Sequence, residues 1–242
     1  MKKNRLDQLV LDLKLAPSLE KARGLIGAGQ VLVNDEPADK AGVSFPTDSA
    51  VRLRKRCPYV SRGGLKLERG LTFFDISLKN KICADIGAST GGFTDCLLQN
   101  GAEKVYAIDV AYGQLAWKIR QDDRVVVMER FNARKITPAD LDETIDLAVM
   151  DASFISVTKL IPPLIPLFKE KTRILCLIKP QFELPKHLVD GGIVKDSQLH
   201  IQAIEKIEQF LEEQGLKSAG VIPSPILGPK GNKEFLILIT DR

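Results

Sequence analysis

The run Lys81-Ile82-Cys83-Ala84-Asp85-Ile86-Gly87-Ala88-Ser89-Thr90-Gly91-Gly92-Phe93-Thr94-Asp95 constrains the fold of this chain more than any other. It opens as a short apolar strand ending on an acid, passes through a glycine-rich turn, and enters the first turn of a helix. Glycine adopts positive φ and lets a ligand approach the main chain closely, so such a turn can cradle a bound molecule. Its spacing is not the dinucleotide pattern G-x-G-x-x-G, because Gly87 is followed by Ala-Ser-Thr-Gly-Gly. A P-loop is excluded too, since no Gly-Lys-Ser/Thr follows the glycines.

Around this unit the sequence alternates apolar strands with helical patterns. Strands are expected at 82–86, 105–110, 125–129, 147–150, 173–178, 218–223 and 234–240, and helices at 92–100, 113–120, 157–168 and 197–214. Alternation with continuously apolar strands implies a mostly parallel sheet covered on both faces. A short Pro/Gly segment joins the last two strands, so the final strand should run antiparallel. This α/β pattern resembles the seven-stranded Rossmann-like fold of S-adenosylmethionine-dependent methyltransferases, and the glycine run resembles their first motif, (D)-x-G-x-x-x-G-G. The resemblance implies that Asp85, Gly87, Ala88, Ser89, Gly91, Gly92, Phe93 and Thr94 surround the cofactor. In open α/β sheets ligands lie beyond the carboxyl ends of the strands. There Asp85 would sit near the amino-acid moiety, Asp109 would accept from the ribose hydroxyls, and Asn132 would meet the adenine edge. The alternative is that these three are ordinary strand-end turn residues.

Composition narrows the class of protein. With 44% hydrophobic and 27% charged residues, the 242-residue chain reads as an ordinary soluble protein. No apolar run approaches the roughly 20 residues that span a bilayer. Met1-Lys2-Lys3-Asn4-Arg5-Leu6-Asp7 lacks the following apolar core of a signal peptide. Four scattered cysteines without pairing or metal spacing indicate a reduced, cytoplasmic protein, and two histidines make a histidine metal site an unpromising reading, so no metal is expected. Charge is uneven: residues 1–62 carry a net +5 and the remainder a net −1. A basic N-terminal quarter suits phosphate binding, or is simply a solvated surface.

Residues 4–54 suggest two short helices followed by small strands, with Ser18 capping the second helix. The pattern Arg5-Leu6-Asp7, then S-x-x-x-A-x-x-L-I-x-x-G-x-V-x-V-N, resembles the small α+β RNA-binding domain of ribosomal protein S-four. That resemblance implies RNA contacts from Arg5, Ser18, Lys21, Arg23 and Asn34. Domain boundaries are expected at 1–56 for this module, 57–62 for a linker that includes Arg62, a further RNA-contact candidate, and 63–242 for the methyltransferase domain.

Four charged residues stand at or near the ends of the apolar elements. Asp151 follows the fourth strand, Lys179 ends the fifth, Glu234 opens the last, and Lys66 lies on the helix ahead of the first. Their order resembles the Lys-Asp-Lys-Glu tetrad of FtsJ-like RNA ribose 2′-O-methyltransferases. The words Tyr59–Lys66, Asp85–Asp95, Asp151–Ser156, Lys179–Glu183 and Gly228–Glu234 resemble one branch, the TlyA family, across nearly the whole chain. Better-studied members carry a tryptophan-containing tetrapeptide where this chain has Cys57-Pro58-Tyr59-Val60. The family implies S-adenosylmethionine as cofactor, rRNA or a ribosomal subunit as partner, no membrane, no obligate protein partner, and a monomer. Members are described both as haemolysins and as rRNA cytidine 2′-O-methyltransferases.

The tetrad suits that chemistry. A ribose 2′-hydroxyl is a weak nucleophile, so transfer needs a base and in-line alignment. Lys179 is the expected base, with Lys66 easing its deprotonation and positioning the ribose or phosphate. Asp151 would orient Lys179 near the cofactor, and Glu234 would hold a lysine or the ribose. The competing readings are salt bridges at a strand edge in an inactive, RNA-binding assembly factor, or a membrane-active haemolysin. Elsewhere, His200 reads as a surface residue, Trp117 as a packing anchor, Gly191-Gly192 as a mobile loop or a plain turn, and Phe154 and Phe182 as core residues more than base contacts.

Overall fold

In the computed structural model, which describes residues 2–54 and 57–242, the chain divides into two units, Met1–Arg56 and Cys57–Arg242. Lys55 and Arg56, at the end of the module expected at 1–56, lie outside the described residues.

The first unit runs β1 (Lys3–Arg5), α1 (Leu6–Asp12), α2 (Leu19–Gly27), β2 (Val31–Val33), β3 (Glu36–Ala38), β4 (Ser44–Pro46) and β5 (Val51–Leu53). The helical spacing of Leu6, Leu9 and Val10 buries one face of α1. Against it pack Ala22 and Ile26 of α2 and Val31 and Val33 of β2. Ser18 caps α2 by accepting from the Lys21 amide at 3.2 Å. The β2–β3 hairpin turns on Asn34 and Asp35, both at positive φ, which their short polar side chains tolerate.

The second unit continues with α3 (Gly63–Phe73), β6 (Ile82–Ile86), α4 (Gly92–Gln99), β7 (Lys104–Ile108), α5 (Trp117–Arg120), β8 (Val125–Met128) and β9 (Leu147–Met150). It closes with α6 (Ile161–Leu164), β10 (Arg173–Ile178), α7 (Pro180–Glu183), α8 (Ser197–Glu213), β11 (Leu216–Pro223) and β12 (Phe235–Asp241). One seven-stranded sheet results, in the order β11-β12-β10-β9-β6-β7-β8. β6 to β10 are parallel to their neighbours within that group, and β12 lies antiparallel to both β10 and β11. The strands are apolar on both faces because both are covered. Leu67, Leu71 and Leu97 cover one side; Ile161, Leu164, Ile207 and Leu211 cover the other. Each such buried side chain contributes about 1.5–3 kcal/mol.

Three expectations change. The helix expected at 157–168 is a single α turn, α6, between two 3-10 turns, because Pro162, Pro163 and Pro166 remove main-chain donors. Of the helix expected at 113–120 only Trp117–Arg120 forms. Residues 57–62 pack within the second unit: Tyr59 is buried with its hydroxyl donating to Glu68 at 2.9 Å, and the Val60 amide donates to Asp95 at 2.8 Å.

Candidate active site

The glycine turn stands where the carboxyl ends of β6 and β9 meet. The ladder pairs Ile86 with Met150, and the Asp151 amide donates to the Ile86 carbonyl at 3.1 Å. Gly87 (φ +83°) and Gly91 (φ +91°) occupy the left-handed region. A Cβ on Gly87 would lie 3.2 Å from the Asp151 carbonyl, and one on Gly91 2.9 Å from Leu115. Asp109, just past β7, ties the turn down: Oδ2 accepts from the Ser89 amide and Oδ1 from the Ala111 amide, each at 2.7 Å.

Asp85 is fully buried beneath this turn. Thr94 Oγ1 donates to Oδ2 at 2.6 Å, and Oδ1 has no partner among the described residues. Burial pushes its carboxyl up to about 7; the Thr94 hydrogen bond opposes the shift and the charge of Asp151 adds to it. Ala88 and Phe93 are buried as well. A cavity of about 1000 Å³ opens beyond the turn, lined among others by Gly87, Ser89, Asp109, Val110, Asn132 and Phe182. Asn132 caps a 3-10 turn, its Oδ1 accepting from the Arg134 amide and Nε at 3.2 Å each. Its amide Nδ2 has no hydrogen bond among the described residues.

A second cavity, of about 500 Å³, adjoins the same turn and brings Arg62, Lys66, Asp151 and Lys179 to one wall. The last β10–β12 pair is Ile178 with Phe235, so the next residues along the two strands are Lys179 and Glu234. Lys66 comes from α3 and its Nζ lies 2.6 Å from Glu234 Oε2. Lys179 Nζ lies 2.5 Å from Asp151 Oδ1 and donates to Ser153 Oγ at 2.8 Å. Asp151 Oδ2 is 3.6 Å from Lys66 Nζ, so one carboxylate bridges both ammonium groups. The four charges alternate in sign. Glu234 and both lysines are buried, and Asp151 is partly open to the cavity.

In the first unit the sequence-predicted residues hold the fold. Arg5 and Arg23 converge on buried Asp7, each with a contact of 2.8 Å, and hold its carboxyl well below the usual carboxylate range. Ser18 is the helix cap already described, and Asn34 accepts from the Ala50 amide at 3.1 Å. Lys21 is exposed.

Other expectations are corrected. His200 is buried, its Nε2 2.9 Å from the Val194 carbonyl, because the face of α8 carrying it packs inward. Trp117 is 70% exposed, being at the start of a four-residue helix too short to turn it into the core. Phe154 is 91% exposed at φ +64°, its ring 5.1 Å from that of Phe182. Gly191-Gly192 form a turn, the second of the two readings, with their carbonyls held by Lys230 (3.1 Å) and Asn232 (2.9 Å). Ser153 was missed by sequence reasoning. Its only signal was its place in the Asp151–Ser156 word, two residues after an acid. Among the described residues no cluster of metal-ligating side chains comes together.

Comparison with known proteins agrees with this geometry. The model of the FtsJ-like methyltransferase family matches residues 59–240, and that of the S4 domain matches residues 4–44. The 16S/23S rRNA (cytidine-2′-O)-methyltransferase TlyA of Mycobacterium tuberculosis is 43% identical over 244 residues, covering 98% of this chain and 91% of the relative. Hemolysin A of Brachyspira hyodysenteriae is 43% identical over 237 residues, covering 96% of this chain and 98% of the relative. A solved structure described as a candidate hemolysin from Streptococcus thermophilus is 41% identical with a TM-score of 0.77, covering all of this chain and 89% of that one. A glycine turn over a buried acid, a four-charge cluster on the sheet edge and full-length likeness to these relatives converge: the chain belongs to the TlyA branch of the FtsJ-like methyltransferase family, with an S4 domain ahead of the methyltransferase fold.

Proposed function

We propose that this protein is an S-adenosylmethionine-dependent ribose 2′-O-methyltransferase acting on cytidine in rRNA, with Lys179 as general base. The observation that carries the reading is the alternating cluster of Glu234, Lys66, Asp151 and Lys179, of which Lys66, Asp151 and Lys179 line the cavity beside the glycine turn and Glu234 is buried behind Lys66. The mycobacterial relative, described as an rRNA cytidine-2′-O-methyltransferase, supports the substrate class.

The residues present fit the cofactor. Gly87 and Gly91 leave the main chain free of Cβ atoms, Asp85 Oδ1 is a buried acceptor without a partner, and Asp109 retains lone pairs for two ribose hydroxyls. Ala88, Ser89, Gly92 and Phe93 would complete that lining, Thr94 would act by holding Asp85 Oδ2, and the Asn132 amide would serve the adenine edge. When bound, S-adenosylmethionine supplies a methyl group on a positively charged sulfur. Asp151 orients Lys179 by ion pairing, and Ser153 fixes the same ammonium from a second side. Lys179 would take the proton of the 2′-hydroxyl as the 2′-oxygen bonds the methyl carbon and the bond from that carbon to sulfur breaks, leaving the cofactor as a neutral thioether. Glu234 holds Lys66 within the cavity, where its charge meets the ribose or the adjoining phosphate. Phe154, exposed beside the cofactor cavity, stacks on the unpaired base. The domain at 1–56 and Arg62 bind rRNA by charge, and the protein works as a cytoplasmic monomer on a ribosomal subunit.

Transfer of labelled methyl groups to ribosomal subunits and free rRNA, wild type against Lys179→Ala, tests the reading. Label lost in the variant and surviving as alkali-resistant dinucleotides is the expected result. Undiminished cofactor binding with no incorporation into any rRNA would sink it in favour of an RNA-binding assembly factor.

A further inference from the structure

We infer that Glu183 is a positioning residue for methyl transfer, restraining the segment Ala152–Val157 so that Ser153 reaches Lys179 and Phe154 stands free. The inference rests on the reading of the site given above. Glu183 ends α7, the single helical turn that follows Lys179, and it is 3% exposed. Its Oε2 accepts from Ser156 Oγ at 2.5 Å and its Oε1 from the Val157 amide at 2.9 Å. Lys206 of α8 supplies the counter-charge: its Nζ donates to the Glu183 carbonyl at 2.5 Å and lies 3.6 Å from Oε2.

A buried carboxylate is costly unless donors surround it, and here the donors belong to the segment it restrains. That segment is held at two ends. Asp151 and Ser153 meet Lys179 at one end, while Ser156 and Val157 meet Glu183 at the other. Between them Phe154 adopts φ +64°, a conformation that a bulky side chain keeps only when its surroundings impose it. Its one ring neighbour, Phe182, belongs to the same helical turn as Glu183. The turn after the base and the segment beyond Asp151 thus form one unit clasped by Glu183. Glu183 bonds to neither Lys179 nor Asp151, so its effect on them runs through the clasped segment.

Four variants test this: Glu183→Ala, Glu183→Gln, Phe154→Ala, and Glu183→Ala combined with Phe154→Ala. Gln keeps a carbonyl to accept from the Val157 amide and serves as the conservative rescue. For Glu183→Ala we expect kcat on rRNA to fall at least tenfold while cofactor Kd stays within twofold. Gln should recover most of that loss. The double variant should be no slower than the slower single one, because both act through one segment. Amide exchange at 152–157 should quicken in Glu183→Ala while exchange at 85–95 stays unchanged. Unaltered exchange at 152–157, losses that multiply in the double variant, or cofactor affinity that falls in step with kcat would overturn the inference. Wild-type protein that transfers no methyl group would instead refute the functional reading, and the exchange measurement would still decide whether Glu183 is the clasp.

Discussion

Replacing Lys66 by methionine removes one charge from the cluster while keeping most of its volume. The Lys66 side chain is 9% exposed, that of Glu234 is wholly buried, and Nζ to Oε2 is 2.6 Å. Glu234 Oε1 lacks a hydrogen-bond partner among the described residues, so the lysine is its counter-charge. Methionine therefore leaves a buried carboxylate uncompensated, and breaking a buried pair in this way costs about 3–5 kcal/mol. Asp151 adds little to that figure. It stands 3.6 Å from Lys66, keeps Lys179 as a partner, and has a side chain partly open to solvent, where screening weakens the pair. With a urea slope of about 2 kcal/mol/M, the unfolding midpoint should fall by about 2 M. Urea titration followed by circular dichroism reads this directly. Lys66→Met combined with Glu234→Gln should recover most of the loss, because the uncompensated charge has gone. A single variant that unfolds with the wild type, or a double variant no better than the single, would refute the argument that Lys66 neutralises Glu234.

Asp109→Ala removes the 2.7 Å bond that holds the glycine turn at Ser89 and a second, also 2.7 Å, that shapes its own loop at Ala111, and should weaken S-adenosylmethionine binding by about 10- to 100-fold, or about 1.4–2.8 kcal/mol, in calorimetry. A change under about threefold would mean that Asp109 neither shapes the turn nor meets the cofactor. Gly92→Ala would put a Cβ 2.1 Å from Ser61 Oγ and should cost about 1–3 kcal/mol in thermal unfolding; adding Ser61→Gly should return part of it. Asp85 titrates at about 7 in the folded protein, far above an ordinary aspartate, so ionising it opposes folding. Its contribution is full below the unfolded value and is lost as pH rises through about 7. Thermal midpoints of the cofactor-free wild type should therefore fall relative to Asp85→Asn between about pH 4 and about pH 8, and parallel curves would contradict the buried-acid account.

The elements that sequence reading located are those whose signals are local. Apolar strands, the acid before the glycines and the Ser18 cap each depend on a few neighbouring residues, and each stands where periodicity and turn chemistry put it. Proline chemistry is equally local: Pro162, Pro163 and Pro166 interrupt the apolar run, and their missing donors leave short turns where apolar spacing alone predicts a helix. The side of an element that faces inward is not local. His200 is buried because of how α8 lies on the sheet, which no single element specifies. The order Lys66, Asp151, Lys179, Glu234 could be read directly along the chain, but not which lysine meets which acid.

The sequence by itself determined the sheet, the glycine turn and the four charged residues, because those follow from short-range pattern and side-chain chemistry. Tertiary structure decided their partners. Lys66 and Glu234 lie 168 positions apart and meet because β12 pairs antiparallel with β10 while α3 packs across the same face. Ser153 and Glu183 acquire their partners the same way, from two loops that adjacent parallel strands bring to one edge. Register and packing set such distances, and both are properties of the whole sheet rather than of any segment within it.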